Sequence, residues 1–349
     1  MYINNLKLYD YRNYSRKQLE FDPYLNIIIG PNGSGKTNIL ESIIVVSNTK
    51  SFRTNNDTDL IAKGSEFARI DLTSDSDSYR VVINRKNKSL YINNYLIKRT
   101  SQFIGKVNAI LFKPSDLELY NQSPSERRKL LDIEISKVSN KYIQALLKYN
   151  SLLKDKNKLL KELEVDEVLF DVLNESMIPV IKIIIDEREK IFNTINTYIS
   201  EIYETISNKP SKIEIVYKKC SEIGDVEKEL KKSKEKDYYY HYSTFGPHHD
   251  DYIFKMDGYE LNSIASQGQR RMVLIAFKFA LVKYIQNTTN ITPVVLLDDI
   301  LSELDKNNQE RLLNIIPEDT QVIISNTDLN NLNIKREYKL IELKEEENV

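Results

Sequence analysis

Eight residues, Gly30-Pro31-Asn32-Gly33-Ser34-Gly35-Lys36-Thr37, stand between an apolar run, Leu25 to Ile29, and an apolar-periodic stretch from Asn38. A strand, a glycine-rich turn and a helix in that order leave few folds open. The glycines let successive backbone N–H groups turn inward around an anion, and the N-terminus of the following helix adds its dipole. Lys36 supplies a point charge suited to the β- and γ-phosphates of a nucleotide, and Thr37 a hydroxyl suited to Mg²⁺. The chain is expected to be an α/β P-loop NTPase, with Gly30, Pro31, Asn32, Gly33, Ser34, Gly35, Lys36 and Thr37 binding ATP.

A second segment completes the chemistry. Val294-Val295-Leu296-Leu297-Asp298-Asp299 reads as a buried strand carrying two acids at its C-terminal end, the end at which ligands sit in open α/β sheets. Asp298 is expected to join Thr37 on Mg²⁺. Asp299 is expected to orient or deprotonate the attacking water, so that the catalytic set is Lys36, Asp298 and Asp299. Ser302-Glu303-Leu304-Asp305 follows directly and resembles the D-loop of ABC ATPases, with Ser302 and Asp305 as its marker residues.

Ser266-Gln267-Gly268-Gln269-Arg270-Arg271 narrows the class. It precedes an amphipathic helix containing Met272, Leu274, Phe277 and Leu281. Serine and glycine at a helix N-terminus suit an anion, yet the chain already holds one phosphate loop. ABC-type heads resolve this by sandwiching two ATPs between two chains. Each P-loop then faces the partner's signature, here Ser266, Gly268 and Gln269. The plainer alternative is an ordinary N-capped helix.

The rest of the chain falls into blocks. Ile3 to Tyr9 alternates, and Tyr79 to Asn84 with Ser89 to Ile97 reads as a hairpin pair. No glycine occurs between Gly105 and Gly224, so long helices are expected there. Leu131, Ile135, Val138, Tyr142, Ala145, Tyr149 and Leu152 form a 4-3 stripe, expected to pack on its own chain rather than in an intermolecular coiled coil. A second helical region runs from Leu169 to Ile202, with Pro179 expected to kink or break it. The expected architecture is an ABC-type head of residues 1–115 and 240–349, with an inserted helical arm of residues 116–239. From Tyr238 onward strands are expected to return, followed by a helix over about Gln269 to Tyr284, a helix near Lys306 to Asn314 and a strand over Gln321 to Ser325.

Lys plus Arg is 50 and Asp plus Glu 51, a net charge of −1. A globally basic footprint for nucleic acid is excluded, so any DNA contact must be a local patch or one assembled by dimerisation. Candidates are Arg53 in the first lobe and Arg127 and Arg128 at the base of the arm. The alternative for the latter two is capping and pairing within the arm. The single cysteine, Cys220, allows no intramolecular disulfide and fits a reducing compartment. No apolar run is long enough to cross a bilayer, so a cytoplasmic location without a membrane is expected. His241, His248 and His249 lack spaced partners for a metal, and the adjacent pair would point opposite ways on a strand.

A resemblance joins these motifs. Leu8-Tyr9-Asp10-Tyr11-Arg12-Asn13-Tyr14, the P-loop with Asn38-Ile39-Leu40-Glu41, and Ser51-Phe52-Arg53-Thr54 look like the start of the RecF family. Phe112-Lys113-Pro114-Ser115-Asp116-Leu117, Ser123 to Asp132, Phe245-Gly246-Pro247-His248, Asp250-Asp251 and Ala265 to Gln269 follow in family order. The family usually has His where Phe52 stands and Arg where His249 stands. The resemblance implies an ATP-dependent homodimer, slow ATP hydrolysis with Mg²⁺, and binding to gapped DNA at single-strand/double-strand junctions. It further implies cooperation with RecR- and RecO-type mediators in loading recombinase, and a link to replication and the SOS response. The alternative is an ABC/SMC-type head serving another chromosome or transport machine.

Overall fold

A computed structural model describes residues 1–330, 332 and 334–344; the acidic run Glu345-Glu346-Glu347 lies outside them. The chain forms two compact units. Unit 1 holds Met1–Leu117, Glu201–Pro210 and Arg271–Val349; unit 2 holds Glu118–Ser200 and Ser211–Arg270. Residues 240–270, read with the head from the sequence, thus group with the second unit.

In unit 1, β1 (Ile3–Tyr11), β2 (Tyr14–Glu20), β4 (Phe67–Ser74), β5 (Ser78–Asn84), β6 (Lys88–Ile92) and β7 (Tyr95–Leu96) form an antiparallel sheet ordered β2-β1-β4-β5-β6-β7. Period-two alternation sends Leu6, Leu8, Ile70, Leu72, Val81 and Ile83 into the core. The expected strand Ser89 to Ile97 is instead two strands, β6 and β7. Asn93 and Asn94, at φ 50° and 66°, turn the chain between them, because two left-handed residues in succession make a tight hairpin and asparagine tolerates that region.

A parallel sheet ordered β14-β3-β13-β12-β8 forms the other layer of unit 1. Its strands are β3 (Leu25–Ile29), β8 (Ala109–Phe112), β12 (Val294–Asp298), β13 (Val322–Asn326) and β14 (Lys339–Glu342). Residues of β12 and β13 are buried throughout, as strands covered on both faces must be. Helix α1 (Lys36–Asn48) follows β3, α7 (Gln267–Thr289) precedes β12 and α8 (Lys306–Ile315) follows it. Since all five strands run one way, the C-terminal ends of β3, β12 and β13 reach the same edge.

Unit 2 carries α2 (Pro124–Val138), α3 (Asn140–Leu159), most of α4 (Glu167–Ser207), α5 (Val226–Tyr240) and the single turn α6 (Leu261–Ile264). It is not purely helical. β9 (Ile213–Lys218), β10 (Asp251–Met256) and β11 (Tyr259–Glu260) form an antiparallel sheet ordered β11-β10-β9. The 4-3 stripe is interrupted at Ser139, which is extended and whose side chain accepts from the Tyr142 N–H to cap α3. Leu131, Ile135, Tyr142, Ala145 and Tyr149 are nonetheless buried. Pro179 does not break α4. Pro179 and Glu175 are exposed, so the carbonyl that loses its N–H partner can be satisfied by water.

Buried polar groups lock unit 2. The fully buried Arg188 on α4 donates to Asp132 on α2 at 2.8 Å, to Asp250 at 2.7 Å and to the Pro247 carbonyl at 2.8 Å. Lys156 on α3 pairs with Asp237 on α5 at 2.8 Å with neither side chain exposed. Gly246 adopts φ 140°, and a Cβ there would run into the Tyr149 hydroxyl. No helix among the described residues is long and apolar enough to cross a membrane.

Candidate nucleotide site

The glycine-rich loop leaves β3 and enters α1 through Gly35 at φ 95°. A Cβ at Gly35 would collide with the Tyr14 ring, whose hydroxyl donates to the Ser34 carbonyl at 3.0 Å. The loop backbone is thus braced from β2, and only glycine fits that approach. Lys36 is 5 % exposed. Its Nζ donates to the Gly30 carbonyl at 2.7 Å and the Pro31 carbonyl at 3.0 Å, curling across the loop.

The acids arrive from β12. Asp298 Oδ1 accepts from Thr37 Oγ1 at 3.1 Å and from Ser325 Oγ, on β13, at 2.6 Å. Burial raises the Asp298 pKa; hydrogen bonds from Ser325 and Thr37 and the charges of Arg53 and Lys36 work against that rise. Asp299 has φ 49°, a left-handed conformation that costs a non-glycine residue about 1 kcal/mol. Its backbone N–H donates to the carbonyl and the hydroxyl of Ser325, both at 3.2 Å. Burial raises its pKa, and the neighbouring Asp298 charge adds to the rise. Ser34 Oγ, Asp299 Oδ1 and Asn326 Oδ1 are buried with no hydrogen-bond partner among the described residues. Such a group of open oxygens beside a curled lysine fits a polar ligand carrying a cation.

Ser302 Oγ donates to the Asp299 carbonyl at 2.6 Å. Asp305 caps α8, accepting from the Asn308 N–H at 2.9 Å. Gln309 clamps the turn between them through the Leu301 and Leu304 carbonyls. Ser302 is therefore fixed to Asp299, the acid just past β12, and Asp305 to the first turn of α8.

A buried carboxylate assembles the N-terminal motifs. Glu41, fully buried on α1, accepts from Arg12 Nη2 at 2.6 Å and Nε at 2.8 Å, and from Ser51 Oγ at 2.6 Å. Arg53 lies 3.7 Å from the same carboxylate and donates to Asn38 at 2.6 Å. Arg53, read from the sequence as a DNA contact, is thus held against the helix that leaves the phosphate loop, and its charge is felt at Asp298. Phe52, at the position of the usual histidine, lies under the Lys113 ammonium at 5.1 Å.

Unit 2 holds the signature and the other candidate arginines. Ser266 and Gln269 form a reciprocal cap on α7: the Ser266 N–H donates to Gln269 Oε1 at 2.9 Å, and the Gln269 N–H to Ser266 Oγ at 3.3 Å. This is the arrangement of the plainer alternative, a capped helix, and it leaves the Gly268 N–H in the first turn. Arg127 is bidentate to Asp251 at 2.6 and 2.8 Å, and Arg128 donates to the Asp250 carbonyl at 2.6 Å. Both arginines are paired within unit 2, though with Asp250 and Asp251, which lie outside the 116–239 arm expected from the sequence. His248 and His249 do not alternate on a strand. They lie on the short 3₁₀ turn Pro247–His249 with ring centroids 4.1 Å apart, because Pro247 and the left-handed Gly246 force a turn.

A cationic face was missed in the sequence. Register places Arg16 beside Tyr9 and Tyr9 beside Arg69; it also places Lys7 beside Asp71 and Asp71 beside Arg80. These side chains share the outer surface of the antiparallel sheet. Asp71 braces both Arg69 and Arg80, and Tyr9 packs under Arg16 and Arg69. Each of β1, β2, β4 and β5 contributes a single outward cation, so the sequence shows no local run, and the patch exists only once pairing is known.

A parallel sheet with a phosphate loop after one strand, two acids after another and a D-loop beyond them defines a P-loop NTPase of the ABC-ATPase head class. The family model for the RecF/RecN/SMC N-terminal domain matches residues 2–348. A protein of Oenococcus oeni named DNA replication and repair protein RecF is 36 % identical over 355 residues, spanning 95 % of this chain and 94 % of that one. Its namesake from Lachnoclostridium phytofermentans is 34 % identical over 355 residues, spanning 98 % of each. The chain belongs to the RecF family. The solved structure of the recombination mediator protein RecF with ATP, in the RecFOR pathway, superposes with a TM-score of 0.88 at 29 % identity, covering 95 % of this chain and 93 % of that one. An Smc head domain from Pyrococcus furiosus, at 19 % identity and a TM-score of 0.54 over 94 % of this chain and 90 % of that one, shares the fold.

Proposed function

We propose that this chain is a slow ATPase that dimerises on ATP, binds gapped duplex DNA at single-strand/double-strand junctions and works with RecR- and RecO-type mediators to help load recombinase. The reading extends to replication restart, the SOS response and a cytoplasmic location. The observation that carries it is the meeting of Lys36, Thr37, Asp298 and Asp299 at one sheet edge in a chain related along its length to DNA replication and repair proteins.

In this reading Lys36 exchanges its two loop carbonyls for phosphate oxygens, with the loop N–H groups and the α1 N-terminus supplying the rest of the cradle. Thr37 and Asp298 hold Mg²⁺, which when bound neutralises phosphate charge. Asp299, in a left-handed backbone just past β12, holds and polarises the attacking water. Ser266, Gly268 and Gln269 serve the nucleotide of the partner chain, and Ser302 and Asp305 complete that interface. Arg53 serves the nucleotide edge rather than DNA, as its bonds to Asn38 and Glu41 support. Duplex phosphates fall to the sheet face of Lys7, Arg16, Arg69 and Arg80, where braced guanidiniums keep outward donors.

Sizing the protein with and without ATP, alone and with gapped DNA, tests the whole reading. An ATP-dependent dimer that retains gapped DNA is expected; a monomer under every condition refutes it.

A further inference from the structure

Three tyrosines crowd the end of α5 and the turn that follows. Tyr239, Tyr240 and Tyr242 are 78 %, 52 % and 46 % exposed. Their rings contact one another: Tyr239 and Tyr240 lie edge to face at 5.0 Å, and Tyr240 and Tyr242 lie 5.9 Å apart, inclined by 37°. Leaving so much ring in water is unfavourable, and none of the three takes part in the nucleotide site.

The surroundings are cationic. The tyrosines border an open cleft of about 850 Å³ that Lys232 and Lys236 also line. His241 Nδ1 meets the Leu160 carbonyl at 2.9 Å, and the Ser243 N–H donates to Asn157 at 2.7 Å. These bonds fix the tyrosine turn against the end of α3. There a second hollow, of about 500 Å³, is lined by Lys154, Lys158 and Lys161. Two lysines therefore share the cleft with the rings, and three more line the hollow that includes Asn157, which holds the turn. The acids lining the two hollows are Glu229 and Glu235, and Glu229 is tied to Lys232 at 2.6 Å. Five cations against two anions make a local excess of three in a chain whose net charge is −1.

We infer that Tyr239, Tyr240 and Tyr242, with the lysines of α3 and α5, form a stacking ledge for single-stranded DNA. Exposed aromatic faces beside lysines match a polyanion whose bases are unpaired, because every base offers a π-face and every phosphate a charge. Duplex DNA hides its base faces and would use only the lysines. An acidic peptide would likewise leave the rings without partners. The inference rests on the DNA-binding reading and adds a second surface to it, in unit 2, distinct from the sheet face of unit 1. The two bonds hold the backbone that carries the rings in place before binding, which lowers the entropy lost on association.

The test is fluorescence anisotropy of labelled oligo-dT and of labelled duplex, with the full chain, without ATP and with ATP. Replacing Tyr239, Tyr240 and Tyr242 together with Ala should weaken oligo-dT binding by at least about 10-fold and leave ATP-dependent duplex binding unchanged. The triple Phe variant keeps the rings and should restore the affinity. Because all three rings are exposed, both variants should melt with the wild type. Oligo-dT affinity unchanged in the Ala variant overturns the inference, as does a Phe variant as weak as the Ala one. Polyglutamate displacing oligo-dT from the wild type at equal charge concentration also overturns it. If the wild type binds duplex with ATP but no oligo-dT, the ledge fails and the DNA reading stands. If it binds neither, both fail.

Discussion

Ser325 at the end of β13 donates to Asp298 Oδ1 at 2.6 Å, the same oxygen that accepts from Thr37 at 3.1 Å. One carboxylate oxygen thus ties two strands and the phosphate loop together. Burial alone would push Asp298 towards its neutral form, and these two donors hold against it. The hydroxyl of Ser325 therefore serves the charge state that Mg²⁺ requires.

Ser325→Ala should weaken nucleotide binding in the presence of Mg²⁺ by about 3- to 10-fold, the worth of one typical net hydrogen bond. Binding in EDTA should change little, because Lys36 and the loop amides do not depend on Ser325. Isothermal titration with and without Mg²⁺ separates the two. Equal losses in both buffers would mean that Ser325 acts on the fold of the edge and not on the metal ligand.

Asp299→Asn should keep nucleotide affinity and slow hydrolysis by on the order of 100-fold or more, trapping an ATP-bound dimer. Lys36→Ala should instead abolish tight ATP binding, since the loop loses its cation. Single-turnover hydrolysis and fluorescent-nucleotide titration distinguish them. Normal hydrolysis in Asp299→Asn together with its loss in Asp298→Asn would reverse the roles of the two acids.

Much of the site was legible because it is encoded locally. The phosphate loop, the acids after β12 and the D-loop each sit at one joint between a strand and a turn or helix, and the spacing of residue types carries their chemistry. What stayed hidden depends on distant partners. Glu41 reads as a polar helix residue until Arg12, Ser51 and Arg53 close on it. Arg69 and Arg80 become a patch only through Asp71 and the sheet register. Strands past Tyr238 were legible, but β9 and its pairing with β10 were not, because the two lie 33 residues apart, counted from Lys218 to Asp251, with α5 between them. Asn93-Asn94, by contrast, carried a local turn signal that the alternation around it obscured.

Arg127 offers a direct choice between the two sequence readings. Its guanidinium is bidentate to Asp251, with side-chain exposures of 13 % and 20 %. Removing it strands a half-buried carboxylate, so Arg127→Ala should cost about 1–3 kcal/mol of stability. Urea denaturation measures that loss. Duplex affinity and its salt slope should stay at wild-type values below the unfolding transition. A variant that keeps its stability but binds duplex less tightly would restore Arg127 as a DNA contact.

His248 should make unit 2 sensitive to acid. Burial pushes its pKa down to about 4, and the adjacent His249 adds to the shift. The ring's two bonds explain why the neutral form fits. Nε2 faces the Ser243 carbonyl at 3.1 Å, which requires a proton there. Nδ1 faces the Tyr149 hydroxyl, which donates to it in that tautomer. A second proton on Nδ1 would force the tyrosine hydroxyl to turn away inside a site closed by Gly246. The folded pKa lies below the unfolded value of about 6.5. The contribution is therefore complete above pH 6.5 and is lost as the pH falls from there towards 4. With the ring partly exposed, its size is about 1–2 kcal/mol after allowing for screening. Asp298 and Asp299, with raised pKa values, act in the opposite direction, so the measurement must be a difference. His248→Gln keeps an acceptor and a donor on its amide without the titration. Its stability relative to wild type, from urea curves at pH 7.5 and pH 4.5, should improve at the lower pH. A difference that stays constant between the two would show that His248 does not titrate in the folded chain over that range.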